Sequence, residues 1–334
     1  TVDPGVFLFF EGARRDDLDA RLLGEVRALL SRGFGVIVDL HPTSQIAAYA
    51  PEKITEATDS PLFRAYGGLV ARTARLLAPL SRERVGFEPM NEPQWGWDAA
   101  TAARWRDQQK IWHDAARALA PDLALVLTGA RGGSLDGLLS VDPRPFRGSN
   151  VLWSFHYYEP FLLTHQGVRA ENGQARLWRY FSDLPYPATH DLFDSARAVL
   201  RANVTADGSL SPREKDRTFN DAERALREYL NAGPGRTRVA ADFRRLDAWA
   251  GQHAVALDRL FLGEFGITRS YGRYRASPPG PLANWLGDVR AEAEARNIGW
   301  ALWALSGYGG MSLIETDEAV ALDRPTLGAL GMTL

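Results

Sequence analysis

Two glutamates stand four residues apart in the stretch FEPMNEPQWGW, which covers residues 87 to 97. Glu88 and Glu92 lie there in an apolar setting, and the amide of Asn91 stands beside the second carboxylate. A further glutamate, Glu264, follows the apolar run LFLG. Carboxyl groups at the end of a buried strand can act as general acids, general bases or nucleophiles. The stretch is alternatively a loop with incidental charges, and the surrounding elements must decide between the two interpretations.

Helices and short apolar strands alternate along the chain. Leucine and valine at helical spacing predict a helix from residue 17 to a glycine stop at Gly33, and similar patterns predict helices over residues 61–79 and 101–120. Six apolar runs bounded by turn residues predict strands that start near residues 34, 85, 123, 151, 260 and 298. Alternating strands and helices are typical of parallel βαβ units. We therefore predict an α/β fold of the (β/α)8 TIM-barrel class.

A (β/α)8 barrel has eight strands, whereas six are clear here. The run VFLFF at residues 6–10 is a candidate for one more, and we expect one or two N-terminal strands to be missing from the chain. An open doubly wound sheet is the alternative, although no GxGxxG turn follows the first strand. We predict a single domain over residues 1–334, in which a helical insertion at residues 159–238 precedes the seventh barrel strand and covers the rim.

Composition excludes several functional classes. The chain has 334 residues, a formal net charge of -2 and no cysteine. Nucleic acid is therefore not an expected partner, and thiolate metal sites, disulfides and a cysteine nucleophile are excluded. No run of about 18 apolar residues predicts a membrane span. No cofactor is expected, and a monomer is favoured.

Polar or aromatic residues stand where five of the predicted strands end. In a barrel these carboxyl ends carry the active-site groups. A lone histidine or glutamate at such a place is usually structural. A structural role is harder to accept when such residues recur at five strand ends of one chain. These residues are His41, Glu92, His156 with Tyr158, Glu264 and Trp303.

The order of these motifs resembles glycoside hydrolase family 5, a cellulase-like family of retaining (β/α)8 glycosidases. The resemblance rests on DLH, NEP, HYY, GEFG and a strand-end tryptophan, and it covers roughly residues 17 to 310. It implies Glu92 as the acid/base, Glu264 as the nucleophile and Asn91 as the ligand of the sugar 2-hydroxyl. His41, His156 and Tyr158 would surround them with hydrogen bonds, and Trp303 would lie under the sugar. The family's arginine at the end of the second barrel strand has no match upstream of residue 10.

Glycoside cleavage explains the residue types independently of the family. One carboxylic acid protonates the leaving oxygen, and one carboxylate attacks the anomeric carbon; a separation of about 5–5.5 Å gives retention and a wider one inversion. Glu88 shares the strand parity of Glu92 but lies deeper, so we interpret it, like Asp39, as structural. Trp95 and Trp97 follow in the loop, where sugar stacking and loop packing are both open.

We expect an extended, uncharged β-glucan as substrate, cleaved by an endo-β-1,4-glucanase, with mannan, xyloglucan or β-1,3-glucan as alternatives. Aromatic residues at the rim of the barrel are expected to stack on this substrate; they are Trp95, Trp97, Tyr158, Tyr271 and Trp303. The resemblance favours a secreted or periplasmic protein. Two rival functions are a metal-dependent hydrolase, for which only six histidines without an HxH pair are available, and a non-catalytic glycan-binding protein. Residues 203–214 partly match the sequence pattern of a calcium-binding loop. The alternative interpretation is a solvated turn that caps the next helix.

Overall fold

The computed structural model describes residues 1–43, 46–80, 84–93, 96, 98–171, 173–270, 275–306, 310–314 and 322–332. The chain divides into two compact units. Unit 1 comprises Thr1–His156 and Trp249–Phe261, and unit 2 comprises Tyr157–Ala248 and Leu262–Leu334.

Six strands form one sheet among the described residues, and their order in the sheet follows their order in the chain. The strands are β1 (Val36–Asp39), β2 (Val85–Glu88), β3 (Ala124–Thr128), β4 (Val151–Tyr157), β5 (Leu260–Phe265) and β6 (Gly299–Leu302). The helices are α1 (Pro4–Phe9), α2 (Ala13–Ser31), α3 (Pro51–Ile54), α4 (Pro61–Leu77), α5 (Ala99–Leu119), α6 (Leu135–Leu139), α7 (Phe161–Thr164), α8 (Phe193–Ala206), α9 (Pro212–Ala232), α10 (Arg236–His253), α11 (Pro279–Glu294) and α12 (Arg324–Ala329).

The pairing within unit 1 is parallel and places the strand ends side by side. β1 pairs with β2 in a register that sets Asp39 opposite Glu88. β3 pairs with β4, with Thr128 opposite Ser154. Each of the six predicted strands is therefore present, and the predicted α/β class is confirmed.

Helix α4 shows why the apolar pattern of the sequence forms these elements. Ser60 caps its first turn by accepting a hydrogen bond from the amide of Phe63, and Pro61 starts the helix with a suitable φ. Its apolar face then meets α5, where the fully buried Trp112 lies 4.8 Å from the rings of both Phe63 and Tyr66. Burial of these large side chains forms the core of unit 1.

The run VFLFF at residues 6–10, which the sequence offered as a candidate strand, is helical up to Phe9. Asp3 accepts a hydrogen bond from the amide of Gly5, and Pro4 occupies the first helical position, so the run begins as helix α1. A capping carboxylate followed by proline favours a helix over a strand. The residue that pairs with the sheet is Val2, whose amide donates to the carbonyl of Asp39 at 2.8 Å.

Two long helices of unit 2, α8 and α9, lie in the segment between β4 and β5. α8 packs against α9, and Leu200, Val204, Phe219 and Leu226 are buried there. Ser211 and Glu214 form a capping box at the start of α9, in which each side chain bonds to the other residue's amide. Residues 203–206 belong to α8, and residues 212–214 begin α9. The stretch 203–214, which partly matches a calcium loop in sequence, is therefore a helix end followed by a capping turn. None of the described helices is long and apolar enough to cross a membrane.

Candidate active site

The first group of candidate residues lies at the carboxyl ends of β1, β2 and β4 in unit 1. Backbone hydrogen bonds hold these ends in register: the amide of Leu40 donates to the carbonyl of Glu88, and the amide of Asn91 donates to the carbonyl of Leu40, both at 3.0 Å. The amide of His156 donates to the carbonyl of Gly133 at 2.8 Å. The predicted residues His41, Asn91, Glu92 and His156 are thereby brought together as one group, which we call the unit 1 cluster.

His41 links a buried carboxylate to the amide of Asn91. Its Nδ1 lies 2.7 Å from Asp39 Oδ2, and its Nε2 lies 3.2 Å from Asn91 Nδ2. Since an amide nitrogen can only donate, Nε2 accepts and Nδ1 carries the proton that is donated to Asp39. Asp39 and Asn91 are both buried, so the chain of contacts fixes the orientation of the amide.

Glu92 is the more exposed of the two glutamates proposed for catalysis. Its side chain is 27% exposed, and Oε1 lies 2.9 Å from Nδ1 of the buried His156. The turn beneath His156 requires glycine, because Gly133 has a φ of +66° and a Cβ there would lie 2.9 Å from the hydroxyl of Thr128. The histidine therefore has a rigid support.

Glu88 and Asp39 lie deeper, as the strand parity predicts. Both are buried at neighbouring positions of β1 and β2. Their charges, together with burial as the main cause, raise the pKa of Tyr66 well above its usual value. The Tyr66 hydroxyl therefore stays protonated and donates to the carbonyl of Pro89 at 2.8 Å, which supports the loop that carries Glu92.

The second group lies in unit 2, where the segment after β4 meets the end of β5. The hydroxyl of Tyr158 donates to Glu264 Oε2 at 2.9 Å, and both residues are 8% exposed. The hydroxyl of Thr164 donates to the carbonyl of Tyr158 at 2.6 Å and so restrains it. A hydrogen bond donated to a carboxylate favours its ionised form.

Trp303 follows β6, and its amide donates to the carbonyl of Phe265 at 2.9 Å, one residue after Glu264. Gly266 permits this close approach: a Cβ on it would lie 2.4 Å from the carbonyl oxygen of Trp303. The backbone thus brings Trp303 to the strand end that carries Glu264. Two of the predicted aromatic residues, Trp95 and Tyr271, lie outside the described residues, as does Trp97.

Sequence interpretation missed an aromatic group next to Tyr158. His165 lies between its neighbours Phe161 and Trp178, with ring centroids 5.1 and 4.7 Å away, and its ring is 5.3 Å from that of Tyr158. Burial lowers the pKa of His165 to about 4, so the ring is neutral near pH 7. These residues fall in the segment after β4, where no strand motif draws attention to them.

Comparison with known proteins identifies the family. The family model described as cellulase (glycosyl hydrolase family 5) matches residues 15–192. The chain belongs to glycosyl hydrolase family 5. A curated relative of this family 5 chain, Endoglucanase 3 of Fibrobacter succinogenes, is 25% identical over 240 residues, or 72% of the chain. The chain spans only 32% of the length of that relative.

Solved structures show the same fold at low sequence identity. Thermotoga maritima Cel5A, solved in complex with cellobiose, has a TM-score of 0.64 and 18% identity, with 96% of this family 5 chain and 81% of that chain covered. Another structure of it contains mannotriose. The Clostridioides difficile cellulose synthase subunit Z has a TM-score of 0.63 and 20% identity, over 94% of this chain and 80% of that one. These similarities confirm that the six parallel strands match the TIM-barrel structures of family 5.

Proposed function

We propose that this family 5 chain is a retaining, endo-acting glycoside hydrolase that cleaves β-1,4-linked glucan. The observation that carries the proposal is the position of Glu92 and Glu264, each at the carboxyl end of a parallel strand and each bonded to a buried side chain. Membership of family 5 supports the reaction class.

The two glutamates have the different surroundings that a double displacement requires. Glu264 is buried and accepts a hydrogen bond from Tyr158, which favours the ionised form needed for attack on the anomeric carbon. Glu92 is partly exposed and can exchange protons with solvent. In the first step Glu264 attacks while Glu92 protonates the leaving oxygen; in the second, Glu92 removes a proton from the water that releases the sugar from Glu264.

The remaining residues would bind and orient the sugar. Asn91 would hold the sugar 2-hydroxyl, in an orientation that His41 and Asp39 fix. Trp303 would stack under the sugar ring, as partly exposed aromatic side chains do. Cellobiose and mannotriose, both uncharged β-linked sugars, are present in structures of Thermotoga maritima Cel5A.

The proposal is tested by reducing-sugar release from amorphous cellulose, barley β-glucan, glucomannan, xyloglucan and laminarin. We expect the highest rate on a β-1,4-glucan and a rapid fall in polymer length. Activity confined to short aryl glycosides would contradict endo action, and highest activity on glucomannan would reassign the substrate to mannan. Binding to the same polymers without any hydrolysis would indicate a glycan-binding protein. Glu264→Gln, which keeps the size of the side chain, is the inactive control.

A further inference from the structure

Unit 2 contains a cavity that is lined by the beginning of the segment after β4, by the end of α8 and by the segment after β5. Its volume is about 900 Å³. Among the described residues, four arginines line it, and we call it the arginine cavity; they are Arg169, Arg179, Arg269 and Arg275. None of these residues belongs to the machinery proposed above.

The charge of the arginine cavity is positive. Asp207 is the carboxylate of its lining, and bonds from Ser209, followed by those from Tyr180 and Arg179, lower the pKa of Asp207 to about 2. A second carboxylate, Asp323, forms an ion pair with one of the four arginines: its Oδ1 lies 3.5 Å from Nη1 of Arg269. Within the part of the chain that the structure describes, four guanidinium groups face these two carboxylates, so the lining carries more positive than negative charge.

Arg169 and Arg275 supply that excess. Both are exposed, and neither forms an ion pair with a carboxylate in the described part of the chain. Arg179 differs, since its Nη2 lies 3.1 Å from Asp207 Oδ2. A planar guanidinium group recognises a carboxylate through two parallel hydrogen bonds. The cavity thus presents two arginines whose natural partner is an anion from outside the protein.

The cavity lining between the arginines contains aromatic side chains and is held together by hydrogen bonds. Asn203 donates to the carbonyl of Tyr180 at 3.0 Å, and Tyr180 donates to Asp207 at 2.8 Å. Tyr180 and Phe181 are buried beneath the surface. Small-molecule sites typically enclose about 300–1,000 Å³, so a cavity of this volume exceeds what a single inorganic anion needs and can hold a sugar.

The cavity shares a segment with the proposed nucleophile. Thr268 and Arg269 line it four and five residues after Glu264. Thr268 is fixed there, because its amide donates to the carbonyl of Thr164 at 2.9 Å and its hydroxyl donates to the carbonyl of Gln166 at 2.7 Å. An anion held by the arginines would therefore lie against the segment that follows the catalytic strand end.

We infer that the arginine cavity binds the carboxylate of a uronic-acid residue carried by the glycan. This inference rests on the proposed function, since it assumes that the chain acts on glycans. It extends the substrate class from neutral β-glucans to β-glucans or related polysaccharides that carry acidic sugars.

Calorimetric titration with cellobiouronic acid and with cellobiose tests the inference, because the two disaccharides differ only in the carboxylate. We expect the acid to bind at least about tenfold more tightly, as is usual for charge-assisted hydrogen bonds. The double variant Arg169→Gln/Arg275→Gln should lose this preference. The matched control Arg213→Gln/Arg217→Gln removes two exposed positive charges from α9 and should keep it.

Equal affinity of the unmodified protein for the two disaccharides would overturn the inference, as would a preference that survives in the double variant or disappears equally in the control. Inorganic phosphate serves as a probe of a simple anion site. If it displaces cellobiouronic acid at equal concentration, the cavity binds small anions and the sugar assignment is wrong. Binding requires no turnover, so absence of hydrolysis on every polysaccharide would refute the proposed function alone.

Discussion

The two roles proposed for Glu92 and Glu264 would follow from the different surroundings of these residues. Glu264 is buried beneath the hydroxyl of Tyr158, whereas the Glu92 side chain is 27% exposed and contacts His156. The hydrogen bond from Tyr158 stabilises a negative charge on Glu264. Access to solvent suits the acid/base role proposed for Glu92.

The proposed roles of the two glutamates predict different behaviour of their alanine variants. Glu264→Ala should abolish turnover of every substrate, because no group remains to attack the sugar. Glu92→Ala should still form the glycosyl-enzyme from an aryl cellobioside whose leaving group needs little protonation. Added azide should then restore turnover and yield the β-azide, since a small anion attacks without a general base. Product configuration is read by NMR.

The same experiment can reverse the assignment. An α-azide from Glu92→Ala would show that no covalent intermediate forms on Glu264. Equal rescue of both variants would show that the roles cannot be divided between these two residues. Asn91→Ala is a useful companion, because it should slow the reaction without making it respond to azide.

His165 predicts a pH dependence of stability. Burial lowers its pKa from the usual 6.5 to about 4. Between these values the unfolded chain binds a proton that the folded chain does not, so the free energy of unfolding falls as the pH falls through that window. From about pH 7 to about pH 4, the unmodified protein should lose roughly 3 kcal/mol more than His165→Gln. Urea unfolding at a series of pH values measures the difference.

The exposed His190 provides the control for this measurement. His190→Gln removes an exposed imidazole ring and should reproduce the pH dependence of the unmodified protein. Parallel curves for His165→Gln and the unmodified protein would mean that His165 is not buried among the aromatic rings in solution.

Single residues were predictable from sequence where they stand at the end of a strand. Strand periodicity and the quoted motifs suffice to select His41, Asn91, Glu92 and His156, which the structure joins by hydrogen bonds. The residues that hold these side chains in place, and those that line the arginine cavity, could not be predicted from the sequence. Tyr66 reaches Pro89 from a helix, and the cavity arginines come from two separate segments, after β4 and after β5, so their proximity depends on tertiary packing that no local pattern encodes.

At the scale of elements, the βα rhythm predicted all six strands because buried parallel strands are short, apolar and bounded by turns. The same criterion failed at VFLFF, where composition suggested a strand but Asp3 and Pro4 start a helix. Helix boundaries differ by a few residues: the helix predicted from residue 17 begins at Ala13 and ends at Ser31. Propensity identifies the type of an element better than its ends.

The junction between β5 and β6 predicts a strict requirement for glycine at position 266. In Gly266→Ala the new Cβ would lie 2.4 Å from the carbonyl oxygen of Trp303 and 3.3 Å from the sulfur of Met311. The backbone must move, so we expect a loss of about 1–3 kcal/mol in the free energy of unfolding. Turnover should also fall, because the displacement moves Trp303.

Gly280→Ala is the control, since nothing lies within 4 Å of a Cβ at that position in the first turn of α11. Alanine is a better helix former than glycine, and this change should be neutral or slightly stabilising. Similar stability of the two variants in urea would show that the approach of Trp303 to Gly266 is looser than the structure indicates.

For the whole molecule, the family and the fold class were predictable, whereas the division into units was not. Unit 1 includes Trp249–Phe261 from late in the chain, a connection that a reading along the sequence does not anticipate. The single domain over residues 1–334 and the position of residues 159–238 over the rim remain predictions. The inferred acidic glycan also belongs to this scale, since the aromatic residues of the sequence favoured an uncharged β-glucan.

The hydrogen bonds around Thr268 and Glu264 have a consequence for the order of folding. They join residues 104 and 106 positions apart, from Thr164 to Thr268 and from Tyr158 to Glu264. Helices such as α8 and α9 form within about a microsecond, but contacts this distant in sequence form late because a long loop must first close. During refolding, circular dichroism should therefore recover before hydrolytic activity. Recovery of both signals at one rate would mean that the ends of this segment meet before its helices are complete.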